Sequence, residues 1–213
     1  MTNDKKDNFI PALSFDFLTS LYDPVVALTT REKEFKRELV RQIDLRPMRR
    51  ILDLACGTAT VTIALKQSCP QAEVFGLDGD AKILHRARQK IEKSNAKIAL
   101  SVGLSNEMPY PDNYFDTVVS SLFFHHLTPD SKRKTLAEIR RVLKAGGTLH
   151  VADWGKPANL LMKVASLPVQ WLDGATTKDS YQEKLPELMA EAGFKGIVET
   201  AAFDTVFGTI RLH

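Results

Sequence analysis

The feature that most constrains the fold is an alternation of short apolar runs with amphipathic helical patterns. The apolar runs, which we predict to be strands, lie at 51–54, 73–77, 97–102, 115–120 and 148–152. Helical patterns lie at 58–67 and 80–93 and in "TPDSKRKTLAEIRRVLKAGG", which begins at a Thr-Pro capping signal and ends at a glycine stop, Gly146. Strands that alternate with helices in this way predict an α/β fold, with a mostly parallel sheet covered on both faces.

The C-terminal end of the chain departs from this alternation. Two β-like runs, "GIVETAA" and "TVFGTIRL", are separated by little more than Phe203-Asp204. A link this short joins only antiparallel strands. The whole pattern therefore predicts a seven-stranded sheet that is mostly parallel and ends in an antiparallel hairpin.

The length of 213 residues suits a single domain, 1–213, with some elaboration. We predict that residues 1–45 form an N-terminal helical cap of two amphipathic helices broken near Pro24, with Thr29 or Thr30 capping the second. Residues 153–180 contain two tryptophans and two prolines. We interpret that segment as a cap insertion within the domain.

Composition excludes several classes of protein. The net charge is +3, and no basic stripe is interleaved with aromatic residues, so no nucleic-acid partner is expected. No window approaches about 18 apolar residues, and the start "MTNDKKDNF" lacks the apolar core of a secretion signal. Two cysteines, Cys56 and Cys69, are too few for a disulfide framework. We expect a cytoplasmic protein with free thiols, no membrane association and no metal site.

The stretch "RRILDLACGTAT" has the outline of a strand, a tight turn and a helix, with Gly57 as the one glycine of the turn. Asp78 ends the second strand 21 residues after Gly57, near the spacing at which a carboxylate accepts hydrogen bonds from ribose hydroxyls. Three interpretations are open: a turn without ligand, a dinucleotide site, or a site for a nucleoside without phosphates. Ala55 and Ala59 replace two glycines that a pyrophosphate requires, so the third suits the turn best.

At this point the sequence resembles the class I S-adenosylmethionine-dependent methyltransferases of the small-molecule type, similar to the quinone-biosynthesis methyltransferases. The resemblance runs in order along roughly residues 20 to 200, through "ILDLACGTATVTIAL", "VFGLDGDAKILHRARQK", "MPYPDNYFDTVVSSLFFHHL" and "EIRRVLKAGGTLHVADW". It implies a Rossmann-like class I methyltransferase fold. It also implies methyl transfer from S-adenosylmethionine to a small-molecule acceptor, with release of S-adenosylhomocysteine.

The resemblance also implies residues for the cofactor. Asp53 would order the first loop near the amino-acid end of the cofactor, although loop scaffolding without ligand contact is an equal alternative. Backbone groups of Ala55 and Gly57 would hold the methionine moiety. Asp78, followed by Gly79, would bind both ribose hydroxyls.

Further positions complete the implied site. Ser120 and Ser121 would line the methionine end, and Tyr22 would fold over the cofactor unless it is simply a core aromatic residue. Leu104 stands where the family commonly has an acid that accepts the adenine amino group, so only its backbone N–H can serve the ring. Asn106 or Glu107 could supply the missing acceptor.

The pair His125-His126 follows the fourth strand toward the substrate side. Adjacent side chains point in different directions, so we expect at most one of the two to face the pocket. A histidine there can act as a base for an acceptor that loses a proton, and packing without a catalytic role is the alternative.

Two other functions stay open at this stage. A non-catalytic S-adenosylmethionine sensor or partner subunit would share the fold and the ligand. A nicotinamide oxidoreductase is disfavoured by the missing glycines and the terminal hairpin. The sequence determines neither the acceptor nor the oligomeric state.

Overall fold

The computed structural model describes residues 31–155, 185–205 and 208–213. The predicted helix before Pro24, Tyr22 and most of the predicted 153–180 cap lie outside these ranges. The helices are α1 (Glu32–Arg41), α2 (Thr60–Ser68), α3 (Ala81–Ser94), α4 (Pro129–Val142) and α5 (Leu185–Glu191), with a 3₁₀ turn at Phe124–His126. The strands are β1 (Arg50–Leu54), β2 (Glu73–Asp78), β3 (Ile98–Val102), β4 (Phe115–Ser121), β5 (Leu143–Gly155), β6 (Ala201–Asp204) and β7 (Thr209–Leu212).

The seven strands form one sheet in the order β3-β2-β1-β4-β5-β7-β6. The strands β1 to β5 run parallel to their neighbours, whereas β7 is antiparallel to both β5 and β6. The predicted mostly parallel sheet with an antiparallel C-terminal hairpin is therefore confirmed. The chain leaves β1 toward β2 and later returns on the other side as β4, so a crevice opens at the carboxyl ends of β1 and β4.

Helices cover both faces of the sheet, and each face has its own apolar cluster. On one face Phe35 and Leu39 of α1 pack with Ile51 of β1. On the other face Leu52 of β1 packs with Leu136 of α4. Neighbouring residues of β1 thus point to opposite cores, because side chains alternate along a strand, and this burial on both faces explains why the central strands are rich in apolar residues.

The junction between α4 and β5 corrects the predicted glycine stop. The helix begins as predicted, with Thr128 as N-cap and Pro129 in the first turn, but it ends at Val142, and β5 starts at once at Leu143. Residues 144–147 form an irregularity in the strand, since Phe115 pairs with Leu143 whereas Thr117 pairs with Thr148. Gly146, with a φ of 76°, serves this bulge rather than the helix end.

Three further boundaries differ from the predictions. The N-cap of α1 is Arg31, in the left-handed region, whereas the predicted caps Thr29 and Thr30 lie outside the described residues. Residues 153–155 belong to β5 and not to a cap, because Trp154 pairs with Ile210 of β7. Phe203 and Asp204 lie inside β6 rather than in the hairpin link, which spans 205–208.

Both cysteines are free, as predicted, and both are buried. The Cys56 side chain packs beneath the turn after β1, against Gly76 in the middle of β2: a Cβ placed on Gly76 would lie 2.9 Å from Cys56 Sγ and 2.6 Å from Leu100 Cδ2. Within the described ranges, no helix has the length and apolar character needed to cross a bilayer.

We expect Gly76→Ala to destabilise the fold by about 1–3 kcal/mol, because the added methyl group overpacks a filled space. Leu100 can move its terminal methyl group, whereas the shorter Cys56 side chain has less freedom. Cys56→Ala should therefore recover part of the loss when combined with Gly76→Ala. Urea unfolding of the two single variants and the double variant checks this, and strictly additive losses would contradict it.

Candidate functional site

A cavity of about 420 Å³ opens at the carboxyl ends of β1, β2 and β4, at the crevice where the strand order reverses. Its size is in the range of small-molecule sites. Its described lining comes from α1, from the turns after β1, β2 and β3, and from the segment that follows β4. The predicted residues Asp53, Ala55, Gly57, Asp78, Gly79, Leu104, Ser121 and His126 are all in this lining.

The turn after β1 takes a left-handed conformation at every second residue. The φ angles are 57° at Ala55, 53° at Gly57 and 61° at Ala59. Glycine is the usual residue in this region, so each alanine costs about 1–2 kcal/mol of strain. A Cβ on Gly57 would meet no protein atom within 4 Å. Packing within the protein thus does not require glycine at 57, and the missing side chain leaves the cavity open at the turn.

The carboxylate of Asp78 connects this turn to the end of β2. Its Oδ2 accepts a hydrogen bond from Gly57 N at 2.8 Å, and its Oδ1 accepts one from Asp80 N at 2.9 Å. Asp80 in turn caps α3 by accepting from Lys82 N. Each carboxylate oxygen can accept a second hydrogen bond, so Asp78 can hold the turn and also bind hydroxyl groups of a ligand.

Asp53 is a buried carboxylate at the end of β1 that accepts a hydrogen bond from Thr62 Oγ1 at 2.6 Å. Burial raises its pKa to about 7, against the opposing effects of the Thr62 hydroxyl and of the Lys36 charge. Because Thr62 lies in α2, the bond fixes this helix to β1, while the same carboxyl group lines the cavity. Asp53 can therefore both hold the loop in place and lie near a ligand.

At the other end of the cavity, the turn after β3 places Leu104, Ser105 and Asn106 in the lining. The Leu104 side chain is half exposed. Glu107 pairs with Leu104 through an isolated β-bridge, but Glu107 itself does not line the cavity. Of the two candidate acceptors for an adenine amino group, Asn106 is thus the one at the cavity.

The two serines at the end of β4 have different surroundings. Ser121 lines the cavity. Ser120 is fully buried behind it and donates its hydroxyl hydrogen bond to the Leu54 carbonyl at 3.1 Å. Ser120 thus fixes β4 to β1, and Ser121 is the serine that a ligand can reach.

The two histidines also differ in their surroundings. His126 lines the cavity, whereas His125 is buried and lies against Asp153, with 2.6 Å between Nδ1 and Asp153 Oδ1. The backbone N–H of His125 donates to the other oxygen of Asp153 at 3.0 Å. Desolvation by the atoms packed around the ring, together with the neighbouring His125, lowers the pKa of His126 to about 4, although part of the side chain stays exposed. The expectation that at most one histidine faces the pocket is confirmed, and His126 is that residue.

Sequence reasoning missed two residues of this region. Asp153, at the end of β5, holds the turn that carries both histidines. Lys36 reaches the cavity from α1, the helix that precedes β1. Asp153 lies within the stretch "EIRRVLKAGGTLHVADW" but has no predicted role there, and Lys36 stands in no motif. Only the packing of α1 and the register of β5 bring the two residues here.

Comparisons with known proteins agree with this geometry. Residues 51–147 match a family model described as a methyltransferase domain. The chain is similar to a demethylmenaquinone methyltransferase from Lactobacillus johnsonii, with 32% identity over 191 residues, covering 80% of this chain and 75% of that protein. A demethylmenaquinone methyltransferase from Symbiobacterium thermophilum is 28% identical over 239 residues, covering 99% of this chain and 93% of the relative.

The fold is shared with a solved structure described as a SAM dependent methyltransferase from Aquifex aeolicus. The TM-score is 0.65 at 20% identity, over 93% of this chain and 97% of the other. The match therefore covers the sheet and the helices on both of its faces.

Asp53→Asn tests the raised pKa of Asp53. Because the folded-state pKa, about 7, lies above the ordinary value of 3.8, the folded protein binds this proton more tightly. The contribution of Asp53 to the free energy of unfolding therefore falls as pH rises from about 4 to about 7. Asparagine does not titrate, so we expect the variant to gain stability relative to the parent between pH 5 and pH 8, by at most about 3 kcal/mol. Urea unfolding at several pH values measures this difference.

Asp116→Asn is the matched control for that experiment. Burial acts in the opposite direction, but hydrogen bonds from Lys144 and from Arg50 N hold the pKa of Asp116 below its usual value. Its contribution to stability is therefore lost only below pH 4, and the control should show a constant difference from pH 5 to pH 8. A constant difference for Asp53→Asn as well would contradict the raised pKa.

Proposed function

Because the chain belongs to the class I S-adenosylmethionine-dependent methyltransferases, we propose that it transfers the methyl group of this cofactor to a small-molecule acceptor, with release of S-adenosylhomocysteine. The observation that carries the proposal is one continuous cavity with a polar end at Asp78 and Asn106 and a less polar end at Phe123 and His126. The polar end suits a nucleoside, and the less polar end suits the acceptor.

The residues of the cavity fit the cofactor. S-adenosylmethionine, when bound, supplies a methyl group activated by a positively charged sulfur. In our proposal Asp78 accepts hydrogen bonds from the ribose hydroxyls, and the open side of Gly57 leaves room for the methionine moiety. Asn106 and the backbone of Leu104 face the adenine, and Asp53 and Ser121 lie near the amino-acid end.

The contribution of the protein to the reaction is then positioning and exclusion of water. Leu122 and Phe123 give the cavity an apolar wall directly after β4. His126 is neutral at pH 7 because its pKa is lowered to about 4. A neutral imidazole adds no positive charge near a cationic group, and its free nitrogen can accept a hydrogen bond from an acceptor hydroxyl. We assign His126 this role, and we assign His125 the role of fixing the turn through Asp153.

We propose an aromatic compound of the quinol type as the acceptor. The support comes from relatives named as demethylmenaquinone methyltransferases and from the apolar wall beside His126. A flat apolar ring packs against such a wall, and a phenolic hydroxyl reaches an imidazole acceptor.

Turnover decides between the enzyme and the sensor alternative. Incubation of the protein and S-adenosylmethionine with a panel of hydroquinones, phenols, amines and thiols, followed by measurement of S-adenosylhomocysteine, should give release with a hydroquinone. Release with an amine or a thiol alone would contradict the quinol assignment. Binding of S-adenosylhomocysteine without turnover on any acceptor would favour the sensor.

Asp78→Ala tests the cofactor assignment. Hydrogen bonds to a charged group contribute about 1.5–3 kcal/mol, so we expect the affinity for S-adenosylhomocysteine to fall by about 10- to 100-fold in calorimetry. The 2′-deoxy analogue of the ligand separates ribose binding from disturbance of the turn. The 2′-deoxy analogue should bind the parent protein weakly, and its affinity should fall less on the Asp78→Ala substitution. Unchanged affinity in a folded variant would overturn the role of Asp78.

A further inference from the structure

The positive charge of the protein is concentrated on α3. This helix carries five lysine and arginine residues against one acid, Glu92, which gives the helix a net charge of +4. The whole chain has 29 lysine and arginine residues and 26 acids, for a net charge of +3. Without α3, 24 basic residues stand against 25 acids, so the remainder of the chain has a net charge of −1. A polyanionic partner is therefore attracted to one helix rather than to the whole protein.

The basic side chains of α3 point away from the sheet. The helix buries an apolar stripe against the sheet, formed by Leu84, Ala87 and Ile91. Because each residue advances the helix by about 100°, Lys82, Arg86 and Lys93 lie within about 40° of one another on the opposite side. Arg88 and Lys90 flank these three residues, and all five are exposed. We call these five residues the α3 basic surface.

Acids of the protein do not neutralise the α3 basic surface. Both α1 and α4 pair cations with acids one helical turn away, as in Lys36–Glu32 and Lys134–Asp130. Across the described ranges, no salt bridge joins a lysine or arginine of α3 to an acid. Lys90 Nζ donates to Thr60 Oγ1 at 2.7 Å, and this acceptor is neutral. The charge is thus available to a partner outside the chain.

Two exposed apolar side chains lie near the end of α3 that borders the cavity. Ile98 and Leu100 of β3 pack in the apolar cluster of α3, and Val102 points to the same face of the sheet because side chains alternate along a strand. Val102 is half exposed and pairs with Asp78, two residues before the N-cap of α3. Leu104, also half exposed, lines the cavity. Cations beside exposed apolar side chains suit a lipid surface, which has charged headgroups above an apolar interior.

We propose that the α3 basic surface, with Val102 and Leu104, docks the protein on an anionic phospholipid bilayer and so places the opening of the cavity beside the lipid that dissolves an apolar acceptor. A cluster of lysine and arginine residues on one helix is typical of binding to anionic headgroups. The helix α3 contains no Phe, Tyr or Trp, whereas single-stranded nucleic acids are bound by aromatic stacking beside charge. The benefit to catalysis rests on the quinol-type acceptor of the proposed function, but the docking itself does not.

This proposal departs from the expectation of no membrane association. That expectation came from the lack of a long apolar run in the sequence, and the described helices likewise include none that could cross a bilayer. Electrostatic docking needs no such helix, because the attraction acts through solvent over about 10 Å. It is reversible, and salt weakens it.

Co-sedimentation with vesicles tests the docking, with phosphatidylcholine alone and with phosphatidylcholine containing about 30% phosphatidylglycerol. We expect the parent to bind only the anionic vesicles, and its affinity should fall at least about tenfold between about 50 mM and about 500 mM salt. The triple variant Lys82→Gln, Arg86→Gln, Lys93→Gln should bind the anionic vesicles about 10- to 100-fold more weakly. Glutamine matches lysine and arginine in helix propensity, so α3 should stay folded.

Val102→Thr, which keeps the shape of the side chain and the net charge, tests the apolar contact. It should weaken binding to the anionic vesicles about three- to fivefold, because a hydroxyl group replaces a methyl group at the lipid surface. Unchanged binding of this variant would overturn the part assigned to Val102.

The matched control is the triple variant Arg133→Gln, Lys134→Gln, Arg140→Gln. It removes the same charge from exposed positions of α4, on the opposite face of the sheet. It should bind the anionic vesicles within about threefold of the parent. The proposal is overturned if the parent does not bind anionic vesicles, or if the control loses as much affinity as the α3 variant. Tighter binding of the parent to poly(U) RNA than to the vesicles at the same salt would assign the surface to nucleic acid instead.

The vesicle experiment contains neither cofactor nor acceptor, so its failure would leave the proposed methyl transfer intact. Turnover of a water-soluble hydroquinone without vesicles tests that function separately, and the parent and the α3 variant should give equal rates. A lower rate for the α3 variant would indicate a structural effect and overturn the assignment. Absence of turnover by both proteins would remove the proposed function and leave the vesicle result standing.

Discussion

β1 hydrogen-bonds to β2 on one side and to β4 on the other, with all three strands parallel. The chain leaves β1 toward β2 and β3 on one side of the sheet and returns as β4 on the other. The carboxyl ends of β1, β2 and β4 therefore face one crevice, and every turn of the site begins at one of these ends or beside it. The cavity is a consequence of this pairing rather than of any single motif.

Carboxylates then fix the turns around the crevice. Asp53 holds the start of α2 through Thr62, and Asp78 holds the turn after β1 through Gly57 N. Asp153 likewise holds the turn that contains His125 and His126, through its contacts with His125. Each of these acids accepts a hydrogen bond from a neighbouring turn or helix. Two of them, Asp53 and Asp78, also line the cavity, where Lys36 is the one lysine or arginine of the described lining.

Much of the site could be predicted from the sequence because it follows from local rules. Asp78 was found from its distance to Gly57, since the length of a strand–helix–strand unit fixes where the second strand ends. The small residues predict a tight turn after β1, but they do not predict its left-handed conformation at Ala55 and Ala59. Their backbone still adopts the conformation, at a cost in strain that the surrounding hydrogen bonds offset.

Other features depended on contacts between distant parts of the chain. The sequence does not show which of His125 and His126 faces the cavity. His125 turns inward because it contacts the carboxylate of Asp153, 28 residues away in the chain. Ser120 and Ser121 were equivalent until the pairing of β4 with β1 buried one of them. The predicted end of α4 was wrong because a β-bulge in β5 contains the glycines that would otherwise indicate the end of a helix. The bulge can be recognised only from the pairing of β5 with β4.

By itself the sequence determined the order of strands and helices, the mixed sheet and the acid at the end of β2, because periodicity and spacing are properties of the chain. The family came from the resemblance of its motifs. Tertiary structure alone decided which histidine and which serine reach the cavity and that Lys36 joins it. These choices depend on the pairing of β4 with β1, on the register of β5 against β7 and on the packing of α1 against α2 and β5. All three arise from packing between segments that no local pattern connects.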